Sequence, residues 1–293
     1  MTVSQKKYVA KPESESLTRD AKPFLKWAGG KQQLIKQYES YFPPNISRYF
    51  EPFIGGGAVF FHLWNTGKLN SKTCLFDNNE TLVNTYIVVR DRLDELIEAL
   101  SVHKEKHCQE YYYLIRNLER QKVGQNNVER AARTIYLNKT CYNGLYRVNS
   151  KGQFNVPMGR YKNPGILNED LLRAASVALQ DICIEVRDFR SVIELSQAGD
   201  FFYFDPPYDP KSKIASFTGY TAGNFQVQDQ YDLADVFTQL TAKGCLCMLS
   251  NSHTPLILDL YRHFKIEVVQ ANRAINSDAN GRGIIKEVVV LNY

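Results

Sequence analysis

Short apolar runs alternate with amphipathic segments along most of this chain, and each run stops at a glycine, an acid or another polar residue. Five such runs are predicted strands: residues 48–53, 72–76, 182–186, 201–204 and 245–250. Apolar residues recur at helical spacing in four segments between or after them: 58–66, 82–100, 226–242 and 254–262. Two further strands, 266–271 and 284–292, close the chain. This alternation predicts an α/β fold with a mostly parallel sheet between helices.

The middle of the chain departs from this pattern. Two polar helices are predicted over about 109–121 and 127–140. They precede CYNGLYRVNSKGQFNVPMGRYKNPG, which is rich in Asn, Gly and Tyr and should turn at Asn143-Gly144 and at 150–152. We therefore expect a sheet domain formed by residues 21–100 and 180–293, interrupted by a second domain over 101–179. Residues 1–20 are polar and predict a mobile tail rather than a signal peptide.

The composition is that of a globular protein, with 44% hydrophobic and 23% charged residues among 293. No run approaches the roughly 18 apolar residues of a membrane span, so no membrane partner is expected. The six cysteines are scattered and form no zinc clamp, which predicts reduced thiols, a cytoplasmic location and no metal.

The net charge of +5 is unevenly distributed along the chain. Residues 130–168 contain seven Lys or Arg and no Asp or Glu. A basic segment favours a polyanion partner because each neutralised phosphate releases a counterion, although a solvated basic face would look the same. Tyrosines lie between these charges and offer flat surfaces for bases, which favours nucleic acid.

A glycine-rich turn follows the first predicted strand in FEPFIGGGAVFF, residues 50–61. Glycines there allow close approach of a ligand to the backbone, and Asp77 ends the next strand, where a carboxylate can accept both hydroxyls of a ribose. No phosphate-binding lysine accompanies the loop, so the pattern suits an adenosine cofactor without phosphates. The alternative is a tight strand-to-helix turn without a ligand.

The segment KPFLKWAGGKQQL, residues 22–34, contains Gly30-Lys31 but fails the phosphate-loop pattern because Gln32 follows the lysine. It is either a helix start anchored by Trp27 or a basic loop around the charged amino-acid end of a cofactor.

The tetrapeptide Asp205-Pro206-Pro207-Tyr208 (the DPPY segment) ends the strand 201–204. In parallel sheets ligands bind at the carboxyl ends of strands. The prolines fix the backbone, so the Asp205 carboxylate and the Pro206 carbonyl would form two acceptors for one amino group, with Tyr208 stacked on its ring. The alternative is a stiff turn that only ends the strand.

Taken in order, KWAGGK, FEPFIGGGAVFF, Asp77 and DPPY resemble the S-adenosylmethionine-dependent DNA adenine-N6 methyltransferases of the Dam type, in the D12 class and α group. The resemblance covers about residues 22–293 and includes FTGYTAGNF (217–225), LSNS (249–252) and the closing segment. It implies a Rossmann-like methyltransferase sheet with an inserted, mostly helical plus hairpin DNA-recognition lobe. It further implies the cofactor S-adenosyl-L-methionine with S-adenosyl-L-homocysteine as product, no metal, and double-stranded DNA containing GATC as substrate. A monomer is expected, as is a cognate restriction endonuclease acting on the same site.

The resemblance also assigns roles to individual residues. Those expected to act on the target adenine are Asp205, Pro206, Pro207 and Tyr208. Those expected to bind the cofactor are Trp27, Ala28, Gly29, Lys31, Glu51, Pro52, Phe53, Gly55, Gly57, Asp77, Asn78, Asp188, Phe189 and Asp205. Those expected to bind DNA are Lys26, Lys139, Tyr142, Asn143, Leu145, Arg147, Asn149, Asn155, Pro157 and Arg160.

Among these, Arg147 is expected to read guanine, and Leu145 and Pro157 to contact the thymine methyl group. Tyr142 and Asn143 are expected to enter the base stack. Outside this list, Arg273 and Arg282 in the closing loop would contact phosphates. Two alternatives to the adenine-N6 activity remain. One is an amino methyltransferase acting on cytosine N4, RNA or a glutamine side chain, and the other is a non-catalytic DNA-binding protein with the same fold.

Overall fold

The computed structural model describes residues 20–69, 72–120, 126–210, 225–272 and 284–293. The predicted tail (apart from Asp20), the FTGYTAGNF motif up to Asn224, and both Arg273 and Arg282 lie outside these residues. The predicted strands are all present within one seven-stranded sheet. Their bounds are β1 Tyr49–Glu51, β2 Thr73–Asp77, β3 Cys183–Val186, β4 Phe201–Phe204, β5 Leu246–Ser252, β6 Lys265–Asn272 and β7 Ile284–Leu291.

The strands are ordered β3-β2-β1-β4-β5-β7-β6. The first five strands of the chain pair in parallel, whereas β7 runs antiparallel to both β5 and β6. From β1 the chain first moves outward to β2 and β3, and then returns to place β4 on the other side of β1. The order of the strands therefore reverses between β1 and β4, where open α/β sheets bind their ligands.

The central strand β4 is apolar throughout because both faces of the sheet are covered. All four residues of Phe201–Phe204 are 0% exposed. Rings on neighbouring strands stack within the sheet, as Phe50 of β1 does on Phe202 of β4, with ring centroids 4.6 Å apart. One buried cluster fills each face, and this core holds the ends of β1 and β4 in place.

Ten α-helices are found among the described residues. Their bounds are α1 Ile35–Tyr38, α2 Ala58–Asn65, α3 Glu80–Asp91, α4 Leu93–Glu105, α5 Gln109–Asn117, α6 Asn127–Thr140, α7 Glu169–Leu179, α8 Val192–Leu195, α9 Val227–Ala242 and α10 Pro255–Leu260. No helix in these parts of the chain is long and apolar enough to cross a membrane.

The prediction of a single helix over 82–100 was wrong. Arg92 has φ −137° and ψ 43°, which ends α3 and separates it from α4. Neither a glycine nor a proline marks this break in the sequence. The helix α7 was not predicted, although Asn168 caps it by accepting a hydrogen bond from the Leu171 amide at 3.1 Å.

The middle segment contains the two predicted helices, here α5 and α6, and then little regular structure. Turns form at both predicted places, and isolated antiparallel pairs join Cys141 to Met158 and Val148 to Phe154. The helix α6 packs on α3 and α4, and its buried residues belong to the same cluster as those of the neighbouring sheet face. The division into domains over 101–179 remains a prediction.

Candidate active site

Three acidic residues meet at the carboxyl edge of the sheet, each at or just after the end of a parallel strand. Glu51 ends β1, Asp77 ends β2 and Asp205 follows β4. Because β1 lies between β2 and β4, the predicted cofactor side and the predicted target side are neighbours. The sheet topology thus brings together residues that are far apart in the sequence.

The glycine loop, residues 54–57, is tightly enclosed. Gly55 has φ +47°, and a Cβ atom there would lie 2.9 Å from Cδ1 of Trp27. Gly57 has φ +71°, and a Cβ atom would lie 2.8 Å from the Tyr86 hydroxyl. Both positions require glycine for conformation and for space. The loop therefore brings its backbone close to the indole of Trp27.

Asp77 is held by backbone donors. Its Oδ2 accepts from the Gly55 amide at 3.3 Å, and its Oδ1 accepts from the Asn79 amide at 2.9 Å. Burial raises the pKa of Asp77 to about 6 despite these hydrogen bonds. The next residue, Asn78, is exposed beside it. Asp77 therefore points into the site from the end of β2 and is tied directly to the glycine loop.

Glu51 is 2% exposed and accepts a hydrogen bond from the Tyr49 hydroxyl at 2.7 Å. Burial raises the pKa of Glu51 well above its ordinary value, and the nearby charge of Asp205 raises it further. The following residue, Pro52, is also buried, whereas Phe53 is half-buried. A positively charged ligand at this edge would favour the ionised form of Glu51.

The segment of residues 26–31 (the tryptophan segment) borders the glycine loop and reaches the DPPY segment. Ala28 and Gly29 are exposed, whereas Lys31 is 4% exposed. The Lys31 ammonium lies 2.7 Å from Asp205 Oδ1 and donates to the Gly29 carbonyl at 2.6 Å. It also lies 4.6 Å from the centroid of the Tyr208 ring. The lysine of the failed phosphate-loop pattern is therefore an ion-pair partner of Asp205.

Asp205 is connected to both sides of the site. Besides Lys31, the Ser250 hydroxyl donates to Oδ1 at 3.0 Å, and that hydroxyl also lies 3.0 Å from the Tyr203 hydroxyl. Burial raises the pKa of Asp205, while the charge of Lys31 and the hydrogen bonds act against that rise. Both contacts are made by Oδ1, which leaves Oδ2 without a donor among the described residues.

The remainder of the DPPY segment is held by residues that sequence reasoning did not single out. The Tyr208 hydroxyl donates to Glu287 at 2.8 Å, and Gln230 donates to the Pro207 carbonyl at 3.0 Å. Asn251 donates to Gln230 at 3.1 Å and accepts from the Asp209 amide at 3.2 Å. Pro206 is buried and Pro207 is exposed. The LSNS motif contains Ser250 and Asn251 and the closing segment contains Glu287, whereas Gln230 lies outside every motif of the resemblance.

Three phenylalanines form a cluster at the other end of the site. Phe53 lies 5.4 Å from Phe189 and 5.8 Å from Phe225 between ring centroids. Asp188 is exposed beside them and is paired with Arg190 at 3.1 Å. The cluster offers an apolar surface, and Asp188 offers a carboxylate at its margin, as a flat base with an amino group requires.

The helix α6 and the chain that follows it contact the tryptophan segment directly. The backbone of Lys26 donates to Asn138 at 2.8 Å, and Asn138 donates to the carbonyls of Lys26 at 2.7 Å and Gly144 at 3.1 Å. Burial and the charge of Lys26 lower the pKa of Lys139 to about 8. The Lys26 ammonium lies over the Tyr161 ring, 4.8 Å from its centroid. Asn138 was not predicted as a site residue.

The predicted base-reading residues lie in the stretch after α6, over residues 141–160. Arg147 is exposed, and its Nε donates to Asn155 at 2.7 Å. Asn149 accepts from the amides of Lys151 and Gln153, so its side chain shapes the turn. The Asn149 amide nitrogen also donates to Gln153 at 3.1 Å, so both ends of this side chain are used within the turn.

The residues expected to enter the stack or to contact the thymine methyl lie on two stretches of chain that are joined by a backbone hydrogen bond. Tyr142 is 51% exposed, and the exposed Asn143 has φ 56°. Leu145 packs partly against the core, and the exposed Pro157 accepts a hydrogen bond from the Tyr142 amide at 2.9 Å. The main chain thus joins Tyr142 to Pro157 across the segment.

The basic residues of 130–168 are not all at the surface. Arg133 is 4% exposed and pairs with Glu119 at 2.6 Å, while Arg130 lies 3.5 Å from Glu80. Arg133 counts among the seven basic residues of this stretch but does not belong to a basic face, because its partner Glu119 lies just after α5, 14 residues earlier in the sequence. Four basic side chains are exposed and make no ion pair with a described residue: Arg147, Lys151, Arg160 and Lys162.

The site fits a positively charged adenosine cofactor better than a phosphate-bearing one. Three carboxylates face the carboxyl edge, and the one lysine known there among the described residues, Lys31, is already paired with Asp205. Burial raises the pKa of Glu51 and of Asp77, and a sulfonium or ammonium group would favour their ionised forms, whereas a phosphate would oppose them. The glycine loop has no side chains at Gly55 and Gly57, and its backbone is packed against Trp27 and Tyr86 at the cofactor side of the site. The fold and the buried acids at its carboxyl edge are those of an α/β protein with a candidate ligand site where the strand order reverses.

Comparison with known proteins identifies the family. The model of the D12 class N6 adenine-specific DNA methyltransferases matches residues 27–275. The type II methyltransferase M1.LlaDCHI of Lactococcus lactis subsp. cremoris is 43% identical over 276 residues, covering 93% of this chain and 95% of that protein. The type II methyltransferase M.MjaIII of Methanocaldococcus jannaschii is 44% identical over 289 residues, covering 94% of this chain and 100% of that protein.

The DNA adenine methylase of Escherichia coli (strain K12) is 34% identical over 270 residues, covering 92% of this chain and 94% of that protein. The chain therefore belongs to the D12 class of N6 adenine-specific DNA methyltransferases. This confirms the family that the sequence motifs indicated, and with it the class of enzyme.

Proposed function

We propose that this protein transfers a methyl group from S-adenosyl-L-methionine to N6 of an adenine in double-stranded DNA, within GATC. The observation that carries the proposal is the position of Asp205, which follows β4, the neighbour of β1. The glycine loop follows β1 on the same edge of the sheet, and Asp77 ends β2 on the other side of β1. When bound, the cofactor supplies an electrophilic methyl group on a sulfonium. Family membership and the residues of 141–160 support the DNA substrate.

In this proposal the glycine loop and Asp77 hold the cofactor from the β1–β2 side. Asp77 accepts the ribose hydroxyls, and its two backbone donors fix the direction of the carboxylate. Glu51 and the tryptophan segment flank the charged methionine end. Phe53 and Phe189 pack on the adenine of the cofactor, and Asp188 accepts from its amino group.

The target adenine leaves the duplex and enters at Asp205. Its amino group donates to Asp205 Oδ2 and to the Pro206 carbonyl, which turns the nitrogen lone pair out of conjugation with the ring. The raised pKa of Asp205 makes the carboxylate a better hydrogen-bond acceptor. The nitrogen would then bond to the methyl carbon as the carbon–sulfur bond of the sulfonium breaks and its electron pair goes to sulfur. The proton released from N6 would pass along its hydrogen bond to Asp205 Oδ2 and on to water. Positioning and the fixed acceptors provide most of the rate enhancement.

Tyr208 provides the stacking surface for the flipped base, which would use one face of its ring. The Lys31 ammonium lies over the other face, 4.6 Å from the ring centroid. The hydrogen bond from Tyr208 to Glu287 fixes the ring, so the base stacks on the face opposite Lys31. Extruding the base costs a few kcal/mol, which this stacking and the insertion of Tyr142 into the gap offset.

A panel of duplexes tests the proposed specificity. The purified protein is incubated with methyl-labelled S-adenosyl-L-methionine and with duplexes that contain GATC or one of its single-base variants. We expect label in the GATC duplex and little in the variants, since each wrong base pair typically costs about 1–3 kcal/mol. Equal labelling of all duplexes would refute GATC, and absence of label from all DNA would refute the activity.

The type II names of two relatives support a further part of the proposal. We propose that a restriction endonuclease recognises the same sequence as this methyltransferase in the cell. DNA methylated by the protein should then resist cleavage by that endonuclease.

A further inference from the structure

Tyr146 lies at the contact between the two halves of the proposed site. Its ring stacks on Trp27 of the tryptophan segment, with centroids 5.0 Å apart and an interplanar angle of 27°. Trp27 in turn fills the space against Gly55, where a Cβ atom would lie 2.9 Å from the indole. In sequence Tyr146 directly precedes Arg147. Tyr146 therefore joins Trp27, which packs on the glycine loop, to Arg147, the residue expected to read guanine.

The other end of the Tyr146 side chain also reaches the cofactor side. Its hydroxyl lies beside Asn79 and Thr81, whose hydrogen bonds act against the rise in the pKa of Tyr146 that burial causes. The amide of Asn79 donates to Asp77 at 2.9 Å, and its side chain caps α3. Tyr146 therefore contacts Asn79, which also hydrogen-bonds Asp77, the carboxylate proposed to hold the ribose.

A second connection runs parallel to the first. The buried Asn138 hydrogen-bonds the backbone of Lys26 on both its amide and its carbonyl, and it donates to the Gly144 carbonyl. A Cβ atom at Gly144 would lie 2.3 Å from the Lys26 side chain, so the two segments are in close contact. The chain at 144–147 and the chain at 26–27 can shift only together.

We propose that Tyr146 is a positioning residue that couples cofactor binding to DNA reading, so that each ligand increases the affinity for the other. The inference rests on the proposed function. Cofactor binding against the glycine loop fixes Trp27, and the stacked Tyr146 then fixes the backbone that carries Arg147. Because coupling between two sites is reciprocal, duplex binding also fixes Trp27 for the cofactor.

The coupling is measured with the product S-adenosyl-L-homocysteine, so that no turnover occurs. Its dissociation constant is determined by calorimetry with and without a saturating GATC duplex, for the unaltered protein and for Tyr146→Ala and Tyr146→Phe. We expect the duplex to tighten binding at least about 5-fold in the unaltered protein, at the lower end of typical coupling. Tyr146→Ala should reduce this factor towards one, whereas Tyr146→Phe, which keeps the stack, should retain most of it.

Tyr113→Ala is the matched control, because Tyr113 is also a half-buried tyrosine of the middle segment but packs on Tyr112 and Arg116 in α5. We expect it to lower stability without changing the coupling factor. A coupling factor of one in the unaltered protein, or one that survives Tyr146→Ala, would refute the role of Tyr146. If instead the unaltered protein binds neither ligand, the proposed function fails with it.

Discussion

The ion pair between Lys31 and Asp205 allows the central geometry to be tested by stability and by activity together. Lys31 Nζ and Asp205 Oδ1 are 2.7 Å apart, and the Lys31 and Asp205 side chains are 4% and 20% exposed, respectively. Asp205→Ala removes the counter-charge of a buried ammonium. Breaking such a pair from one side typically costs about 3–5 kcal/mol of the free energy of unfolding. Because Asp205 keeps some exposure, we expect a loss near the lower end, about 3 kcal/mol.

The double variant Lys31→Met with Asp205→Ala separates the charge effect from a simple loss of packing. Replacing both members of a buried ion pair by apolar groups is often close to neutral. We therefore expect the double variant to be more stable than Asp205→Ala alone, by about 2 kcal/mol, while both are inactive. A matched control is Asp235→Ala, an exposed aspartate on α9, which should change stability by less than about 0.5 kcal/mol.

Unfolding in urea, followed by circular dichroism, gives the free energies, and methyl transfer to a GATC duplex gives the activities. Duplex binding by Asp205→Ala, measured where the variant is folded, should be largely retained. The reasoning fails if Asp205→Ala is as stable as the unaltered protein, or if the two substitutions add as independent losses. Near-normal turnover by Asp205→Ala would show that the carboxylate does not hold the amino group.

Three further predictions concern the cofactor side and the base-reading segment. Burial raises the pKa of Asp77 to about 6, so its protonated carboxyl adds to stability at low pH and loses that contribution as pH rises through about 6. The difference in the free energy of unfolding between the unaltered protein and Asp77→Asn, measured by urea unfolding without cofactor, should therefore vary with pH in this range. A constant difference would contradict the prediction. Gly57→Ala should lower the free energy of unfolding by about 1–2 kcal/mol because alanine is strained in the left-handed conformation. Contact of the new methyl group with Tyr86 should lower it further. Thermal unfolding measures the change, and unchanged stability would contradict the prediction. Arg147→Ala should reduce discrimination at the guanine by about 1–3 kcal/mol. Arg147→Lys should keep little of that discrimination, because lysine lacks the bidentate fork of arginine. The duplex panel measures both variants, and an unchanged base preference would contradict the role of Arg147.

Much of the sheet could be predicted because its signals are local. Phe201–Phe204 is an apolar run that stops at Asp205, and the structure begins and ends β4 at those residues. The parallel-sheet rule then places the acids at the ends of β1, β2 and β4 on one edge. Local pattern was therefore enough for the position of the candidate site.

Contacts between distant parts of the chain could not be predicted in this way. Arg133 looked like a surface charge until folding placed it against Glu119, and Lys31 gave no sign of its pairing with Asp205. No sequence pattern assigns an individual site role to Asn138 or Tyr146. Their partners in the tryptophan segment, Lys26 and Trp27, are brought to them only by the packing of α6 and the chain after it. Long-range partners depend on three-dimensional packing, which residue spacing does not contain.

The break between α3 and α4 shows a different limit. Apolar residues keep a helical spacing through the break, and Arg92 is compatible with a helix. The break is visible only in its backbone angles, φ −137° and ψ 43°. The start of α4 is then supported by the pairing of Arg92 Nε with Glu95 at 2.7 Å, which again appears only in the structure.

The central claim is that the DPPY segment presents the amino group of an adenine to the methyl donor. The most direct measurement is nucleoside analysis by mass spectrometry of a GATC duplex after reaction with the purified protein and S-adenosyl-L-methionine. The account predicts N6-methyladenine at the GATC adenine in the unaltered protein and none with Asp205→Ala. Detection of N4-methylcytosine instead, or of no methylated base, would contradict it.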